Sequence, residues 1–486
     1  MIALQPAVPP HERGPTRSIV LWLVPFAVLS AALVFVFPDS YQQDGGHHYL
    51  GARWALEHPR HLVDVWGRPL FTALYALPAR LGYPAAKLLT VAVSLATAWH
   101  AARLAHAYGL RRPSLAVPLL FLQPSFLLIC SDTMTEPLFA LLLAVALRLR
   151  HAGRVSAALW VAGSLPLVRP EGFFVGILWG LFTLVDRRAG STIMGRAAAA
   201  LRLAGGAAAW WLAALAITRD PLFIPKNWPS NWAASFTYGT GPLWHYWNIR
   251  NDIWAGPMLV LFLVGFVALV RARRASLAMA SVAVVAGLHS VFFRYGMFGS
   301  AGYARYLVCV AVPMALATLA GWNVVAEGLA RLRFPCAAAR ALGAAALLWA
   351  AIHCLSYLDA FGTSRDAWAV KDMYAWFQAH PRPVTRLVFS QAYMSILFGR
   401  DHAERPRLRG GVEEKIETLR RQPAGTLVFW DARTGPQFHA IGPAEFERAG
   451  YELLRGQRYE LPPLLPIPYV PWVKDYAQEY WLYYKP

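Results

Sequence analysis

Acidic charge is scarce in this chain. Of 486 residues only 27 are Asp or Glu, against 46 Lys or Arg, and charged residues together make up 15%. Cysteine is scarcer still, at Cys130, Cys309, Cys336 and Cys354. None of the four forms a CxxC pair, which leaves no zinc ribbon or dithiol redox motif. A Cys130–Cys354 bridge on the outer side is left open. Internal repeats and long low-complexity linkers are missing too. The formal charge of +19 raises the question of nucleic acid, and its distribution answers it. From Asp359 onward 17 Lys and Arg stand against 15 Asp and Glu, whereas the first 358 residues hold 29 against 12. The basic surplus therefore lies in the apolar part, and the reading is no nucleic acid.

What the chain has in abundance is apolar sequence: 57% of it is hydrophobic and the mean hydropathy is +0.37. Runs near 20 residues recur, the length a helix needs to cross hydrocarbon. They predict a mainly α polytopic membrane protein with about eleven spans, at 19–37, 84–108, 113–129, 134–150, 154–168, 171–185, 201–218, 252–270, 275–293, 305–324 and 338–358. Arg111-Arg112, Arg148/Arg150/Arg154, Arg187-Arg188/Arg196/Arg202, Arg271/Arg273/Arg274 and Arg331/Arg333/Arg340 fall in alternate short loops, as cytoplasmic loops do. Arg13 and Arg17 precede a run longer than a signal-peptide core, so the first span reads as an uncleaved anchor. The N-terminus is then cytoplasmic, and everything after Asp359 is extracytoplasmic.

Two domains are expected. Residues 1–358 form the membrane domain, with a long first outer loop, 38–83, that carries two helices lying on the membrane surface (His47 to His58 and Pro69 to Leu77). A second outer loop, 219–251, holds Phe223, Trp228, Trp232, Phe236, Tyr238, Trp244, Tyr246 and Trp247, an interfacial aromatic belt or a platform for sugar rings or a lipid chain. Residues 359–486 form a small extracytoplasmic α/β domain. Its helices are expected at Asp366 to His380 and Gly442 to Ala449. Its strands are expected at Val384 to Ser390, Thr426 to Trp430 and Tyr451 to Arg455, before a Pro- and Tyr-rich tail that lies back on the domain or the membrane.

The first outer loop opens with Asp39 and Asp44, and a helix exit needs no acids, since Lys, Arg, Trp or Tyr anchor it better. Asp39, Asp44, Asp132, Glu136, Arg169, Glu171, Arg294 and Arg305 all fall near outer helix ends. Charges beside hydrocarbon are costly and tend to pair or face a cavity. Singly each reads as a helix-end ion pair; as a set they read as a polar pocket open to the outside. Arginine binds phosphate bidentately, so Arg169, Arg294 or Arg305 suits the phosphate of a lipid-linked sugar. Phosphate leaves with little protonation, so one carboxylate suffices as base on the acceptor hydroxyl, where ordinary glycosidases use a pair. Asp44 is the candidate, beside Gly45-Gly46, which leaves the backbone open to a ligand. His47 and His48 read either as further ligands or as surface histidines, and a divalent cation is left open.

Trp66-Gly67-Arg68-Pro69-Leu70-Phe71 through Ala85-Ala86-Lys87-Leu88-Leu89 resembles a stretch of the GT-C glycosyltransferases, which include protein O-mannosyltransferases and aminoarabinose lipid A transferases. Asp44 through Ala52 is similar to their first-loop acidic motif. Further matches are Pro124-Ser125-Phe126, Thr135-Glu136-Pro137-Leu138, Leu167 through Gly172, and Ala304-Arg305-Tyr306-Leu307 before Pro313, in the family's order over residues 19–325. The resemblance implies a polyprenyl-phosphate sugar donor, an inverting transfer at the outer face of a bacterial plasma membrane, a base at Asp44, and phosphate or sugar contacts at Arg169 and Arg305. Gly45 departs from it, since many relatives carry Glu there. The acceptor stays open between lipid, polysaccharide and protein. Two other functions are weighed: a lipid-linked saccharide transporter or flippase, which favours mid-membrane charges and paired halves, and a non-catalytic scaffold.

Overall fold

The computed structural model describes residues 16–37, 43–228, 238–273, 275–361, 365–401, 403, 405, 406, 408–460 and 477–486. Asp39, Trp232, Phe236 and Arg274 lie outside the described residues, as do residues 1–15 and most of the tail, 461–476.

Helix α1 (Thr16–Val36) leads to two short helices, α2 (Asp44–Arg53) and α3 (Pro69–Arg80), and then to α4 (Tyr83–Ala107). The next expected span is broken. A 3-10 turn at Pro113–Leu115 precedes α5 (Ala116–Phe121) and α6 (Pro124–Ile129), because Pro124 cannot donate to the ladder. There follow α7 (Glu136–His151), α8 (Val155–Gly163), α9 (Glu171–Val185), α10 (Ile193–Ala200) and α11 (Gly205–Thr218). The short turns α12 (Phe223–Asn227) and α13 (His245–Asn248) lead to α14 (Met258–Arg271), α15 (Ser276–Tyr295), α16 (Ala311–Arg331) and α17 (Cys336–Phe361). Each expected span thus meets a helical segment. Among the described residues six helical stretches are long and apolar enough to cross a membrane, with three shorter apolar ones beside them.

Apolar helices gain little from burial against each other in lipid, so close approach decides their packing. Helices α14 and α16 pack along a shared seam. A Cβ on Gly265 would stand 1.8 Å from the Ala317 carbonyl oxygen, and one on Gly321 would stand 1.8 Å from that of Leu261. The two glycines let the backbones touch.

The surface helices differ from expectation in detail. Helix α2 ends at Arg53, and Leu56 is exposed beyond it. Helix α3 runs through Pro78 to Arg80, since a proline in the last turn costs only one bond. All four cysteines are free, and Cys130 lies 3.4 Å from the Ser30 hydroxyl. The Cys130–Cys354 bridge is therefore not made.

Beyond α17 the chain forms α18 (Arg365–Ala379), β1 (Arg386–Phe389), α19 (Ala392–Phe398), α20 (Val412–Arg420), β2 (Thr426–Asp431), α21 (Thr434–His439), α22 (Pro443–Arg448), β3 (Glu452–Glu460) and β4 (Ala477–Tyr484). The sheet order is β1-β2-β4-β3, with β1 parallel to β2 and both β2 and β3 antiparallel to β4. The expected last strand is longer than read and is not last. The end of the Tyr-rich tail enters the sheet between β2 and β3, with Phe429 opposite Leu482 and Gln457 opposite Tyr480. Trp430, Phe446 and Tyr483 are buried on one face of this sheet, and each buried aromatic of this kind contributes about 2 kcal/mol.

Candidate active site at one end of the helix bundle

Asp44 stands in the first turn of α2, not on an open loop. An N-terminal turn favours a carboxylate, because its N–H groups point outward with partial positive charge. The turn is pinned from several sides. The Thr133 hydroxyl donates to the Gly45 carbonyl at 2.7 Å. The His48 ring stacks on Trp66 at 4.6 Å, and Tyr49 meets Tyr83 at 4.7 Å. Gly45 and Gly46 are buried in this packing, and the Gly45 carbonyl is held by Thr133 rather than left open.

Arg305 reaches Asp44 from the turn ahead of α16, and the two side chains form an ion pair with a short hydrogen bond. The Asp44 side chain keeps 39% of its accessible surface while Arg305 keeps 5%. Burial acts to raise the carboxyl, yet the charge and hydrogen bond of Arg305, with His48 and His47 adding, hold it below its ordinary value. The ionised carboxylate is therefore reachable from solvent and restrained by one cation.

Behind this pair lies a second, fully enclosed network. Arg169 Nη1 is 2.7 Å from Glu136 Oε1, and its Nη2 is 2.8 Å from Glu171 Oε1. Arg169 also donates to the Thr135 hydroxyl at 3.1 Å. His289 Nε2 is 2.9 Å from the same Glu171 oxygen, and its ring stacks on Tyr306 at 4.5 Å. Glu136 links the two groups, 3.7 Å from Arg305 Nη1. Tyr306 lies under both guanidiniums, 5.4 Å from Arg169 and 5.6 Å from Arg305.

Arg68, just ahead of α3, differs from both. Its Nη1 donates to the Val65 carbonyl at 2.7 Å, and its buried Nε has no hydrogen-bond partner. Burial, with the nearby charge of Arg169, pushes it down to about 10, so it stays a cation at neutral pH. Burial and the Arg68 charge in turn push His48 down to about 3. His47 is pushed down to about 4 by burial and by Arg405 of the small domain. Both histidines are neutral near pH 7.

Of the residues expected from sequence, the structure gathers Asp44, Glu136, Arg169, Glu171 and Arg305, with His47 and His48 on α2 beside them. Asp132 is buried nearby and accepts the Thr133 N–H at 2.7 Å. Arg294 is exposed in the last turn of α15 and stands outside the network. Asp39 lies outside the described residues. Sequence reasoning missed Arg68, His289, Tyr306 and Trp66 as site residues. His289 had a visible signal, a titratable side chain inside an apolar run. Among the described residues no three His, Cys, Asp or Glu side chains stand together as metal ligands. His47 faces Phe389 and the edge of Trp66, while His48 faces Trp66 and Phe71.

The opposite end of the bundle carries a different cluster. Arg150 meets Asp186 at 2.8 Å, Arg188 meets it at 2.9 Å, and Tyr108 touches His151. The two polar ends are thus separated by the apolar helices, the arrangement of a multi-pass membrane protein.

No protein-family model matches the sequence, and comparison with curated proteins finds no match. Solved structures do match. ArnT from Cupriavidus metallidurans in the apo state superposes with a TM-score of 0.60 at 14% identity, over 96% of this chain and 98% of that one. ArnT bound to undecaprenyl phosphate gives 0.61 at 13% identity over the same shares. The chain has the fold of ArnT. The likeness runs almost end to end, so it takes in the helical bundle, the surface helices and the small sheet of the ArnT-like fold together.

Proposed function

We propose that this chain is an integral-membrane glycosyltransferase of the GT-C type, moving a sugar from a polyprenyl-phosphate donor to an acceptor at the extracytoplasmic face of a bacterial inner membrane. The observation that carries the reading is a solvent-reachable carboxylate, Asp44, restrained by one arginine at the outer helix ends. The undecaprenyl phosphate bound by ArnT, whose fold this chain shares, supports the donor class. The Arg-rich short loops support a cytoplasmic N-terminus, with Asp44 and the small domain outside.

The chemistry follows from the charges. A donor phosphate entering beside α2 meets Arg68, whose guanidinium has an unused donor, and Arg305. Once Arg305 shares its hydrogen bonds with phosphate, its hold on Asp44 weakens and the carboxylate becomes a better base. The acceptor hydroxyl oxygen attacks the anomeric carbon and its proton passes to Asp44. The bond between that carbon and the phosphate oxygen breaks, and its electron pair stays on the phosphate. The new glycosidic bond has the opposite anomeric configuration. Arg169, already held by Glu136 and Glu171, keeps Tyr306 and Arg305 in place. General base catalysis of this kind contributes about 10²–10⁴-fold.

The test is transfer of labelled sugar from a panel of polyprenyl-phosphate sugars in membranes, with and without EDTA. Asp44→Asn is expected to lower transfer by about 10² or more while the protein still inserts. Full transfer by that variant removes the base assignment, and no transfer from any donor removes the donor class. A loss with EDTA would assign a metal to the reaction.

A further inference from the structure

Arg405 lies in the small domain, between α19 and α20, and it points back at the active site. Its guanidinium sits 4.8 Å from the centroid of the Phe389 ring at the end of β1. That ring stacks on His47 at 6.4 Å, one turn beyond Asp44. The domain also grips the start of α2 directly, where the Ala392 N–H donates to Gln43 Oε1 at 3.1 Å. A second tie, His58 Nε2 to Asp401 Oδ2 at 2.5 Å, fixes the segment that carries Arg405.

Most enclosed arginines of the helical bundle have carboxylates: Arg169 has two, Arg305 has Asp44, and Arg150 has Asp186. Among the described residues Arg405 has none. Its Nη2 donates to His439 Nε2 at 2.8 Å, a ring pushed down to about 4 by burial and by Arg405 and Lys415, and therefore neutral. Lys415 Nζ donates to the His439 carbonyl at 2.7 Å. The carboxylate of the sheet, Asp431, is fully engaged elsewhere. It accepts from Ser390 Oγ at 2.5 Å, Gln391 Nε2 at 3.1 Å, Gln478 Nε2 at 2.7 Å and the hydroxyl of Thr434. Two cations thus meet one neutral histidine, Arg405 at its ring and Lys415 at its carbonyl, beyond the carboxyl end of the parallel strand β2. A half-buried guanidinium without a counter-charge is costly, and a bound anion removes that cost.

We propose that Arg405, assisted by Lys415, binds an anionic group on the acceptor. The proposal rests on the glycosyltransferase reading for its direction. The donor phosphate is assigned to Arg68 and Arg305, and the acceptor to the His47 face of α2, against which Phe389 and Arg405 of the small domain stand. The recognised chemistry is a phosphate or a carboxylate on the molecule that supplies the attacking hydroxyl.

The experiment uses the full chain in nanodiscs and two small probes, phenyl phosphate and phenylacetate, titrated by calorimetry with and without saturating undecaprenyl phosphate. With that lipid bound, one further anion is expected to bind. Arg405→Gln weakens it by about tenfold or more, Arg405→Lys by a few-fold at most, and Arg421→Gln, on the exposed end of α20, leaves it unchanged. Preference for one probe tells whether the acceptor's anion is phosphate or carboxylate. Unchanged binding in Arg405→Gln, or loss of all anion binding once undecaprenyl phosphate is present, overturns the proposal. If Arg405→Gln unfolds, Lys415→Gln is read in its place and must weaken the same probe. Failure of undecaprenyl phosphate itself to bind is a separate result, and it counts against the donor reading alone.

Discussion

The two arginine groups around α2 make a useful contrast. Arg169 is locked between Glu136 and Glu171, with His289 completing the Glu171 shell, and all of these side chains are buried. Arg68 and Arg405 flank the same helix with backbone, ring or imidazole partners and no carboxylate among the described residues. Arg305 stands between these cases, sharing one exposed carboxylate. A cation whose charge is already matched inside the protein is part of the frame. A cation left unmatched at a solvent-reachable site is a place for a ligand's charge. The cost of an unpaired charge makes the distinction physical, because the frame cannot lose its ion and the rim is completed only by binding.

Breaking the frame has the largest expected effect. Arg169→Met strands the buried Glu136 and Glu171 carboxylates and is expected to cost about 3–5 kcal/mol, read as a large drop in thermal unfolding temperature in detergent. Stability within about 1 kcal/mol of wild type would put Arg169 with the rim instead. Arg68→Gln tests the other side of the contrast. Folding stability is expected to change by less than about 1 kcal/mol, whereas affinity for undecaprenyl phosphate falls about 10- to 100-fold.

Arg305 is probed by the pH dependence of transfer. Its charge holds the Asp44 carboxyl low against a burial that would raise it. Removing the charge in Arg305→Gln takes away the main opposition to burial, so the acidic limb of the activity–pH profile moves to higher pH. An unmoved limb would mean that Asp44 is not the group titrating there. The smallest effect concerns the neutral histidines. His47 and His439 are pushed down to about 4 and His48 to about 3 from an ordinary 6.5. Below pH 6.5 the unfolded chain therefore binds protons that the folded chain does not, and stability falls as the pH drops from about 6.5 toward 4. His48→Phe keeps the stack on Trp66 and is expected to flatten that fall, measured by unfolding at several pH values.

Much of the frame is legible in the amino-acid sequence. Eleven apolar runs each meet a helical segment, because hydrocarbon permits few other ways to satisfy a backbone. The charged residues at the outer helix ends stand out by their cost in an apolar setting. Their pairing does not. Nothing in the sequence says that Arg169 takes two carboxylates while Arg305 takes Asp44, a partner 261 residues away along the chain. Asp44 reads as a loop residue because Gly45-Gly46 is a poor helix start, and packing under Thr133 and Trp66 overrides that preference. Strand β4 is hidden in a Pro- and Tyr-rich tail, and its neighbours β2 and β3 lie ahead of it in the chain.

The sequence by itself determined what a membrane imposes: the helices, their polar ends and the acids that have no reason to stand at a helix exit. Those constraints are local, and composition carries them. Which cation is matched and which is left open was decided only by the tertiary structure, which brings α2, α7, α9, α15, the turn before α16 and the edge of the small sheet to one place. Charge balance is a property of neighbours in space, and the chain order does not contain it.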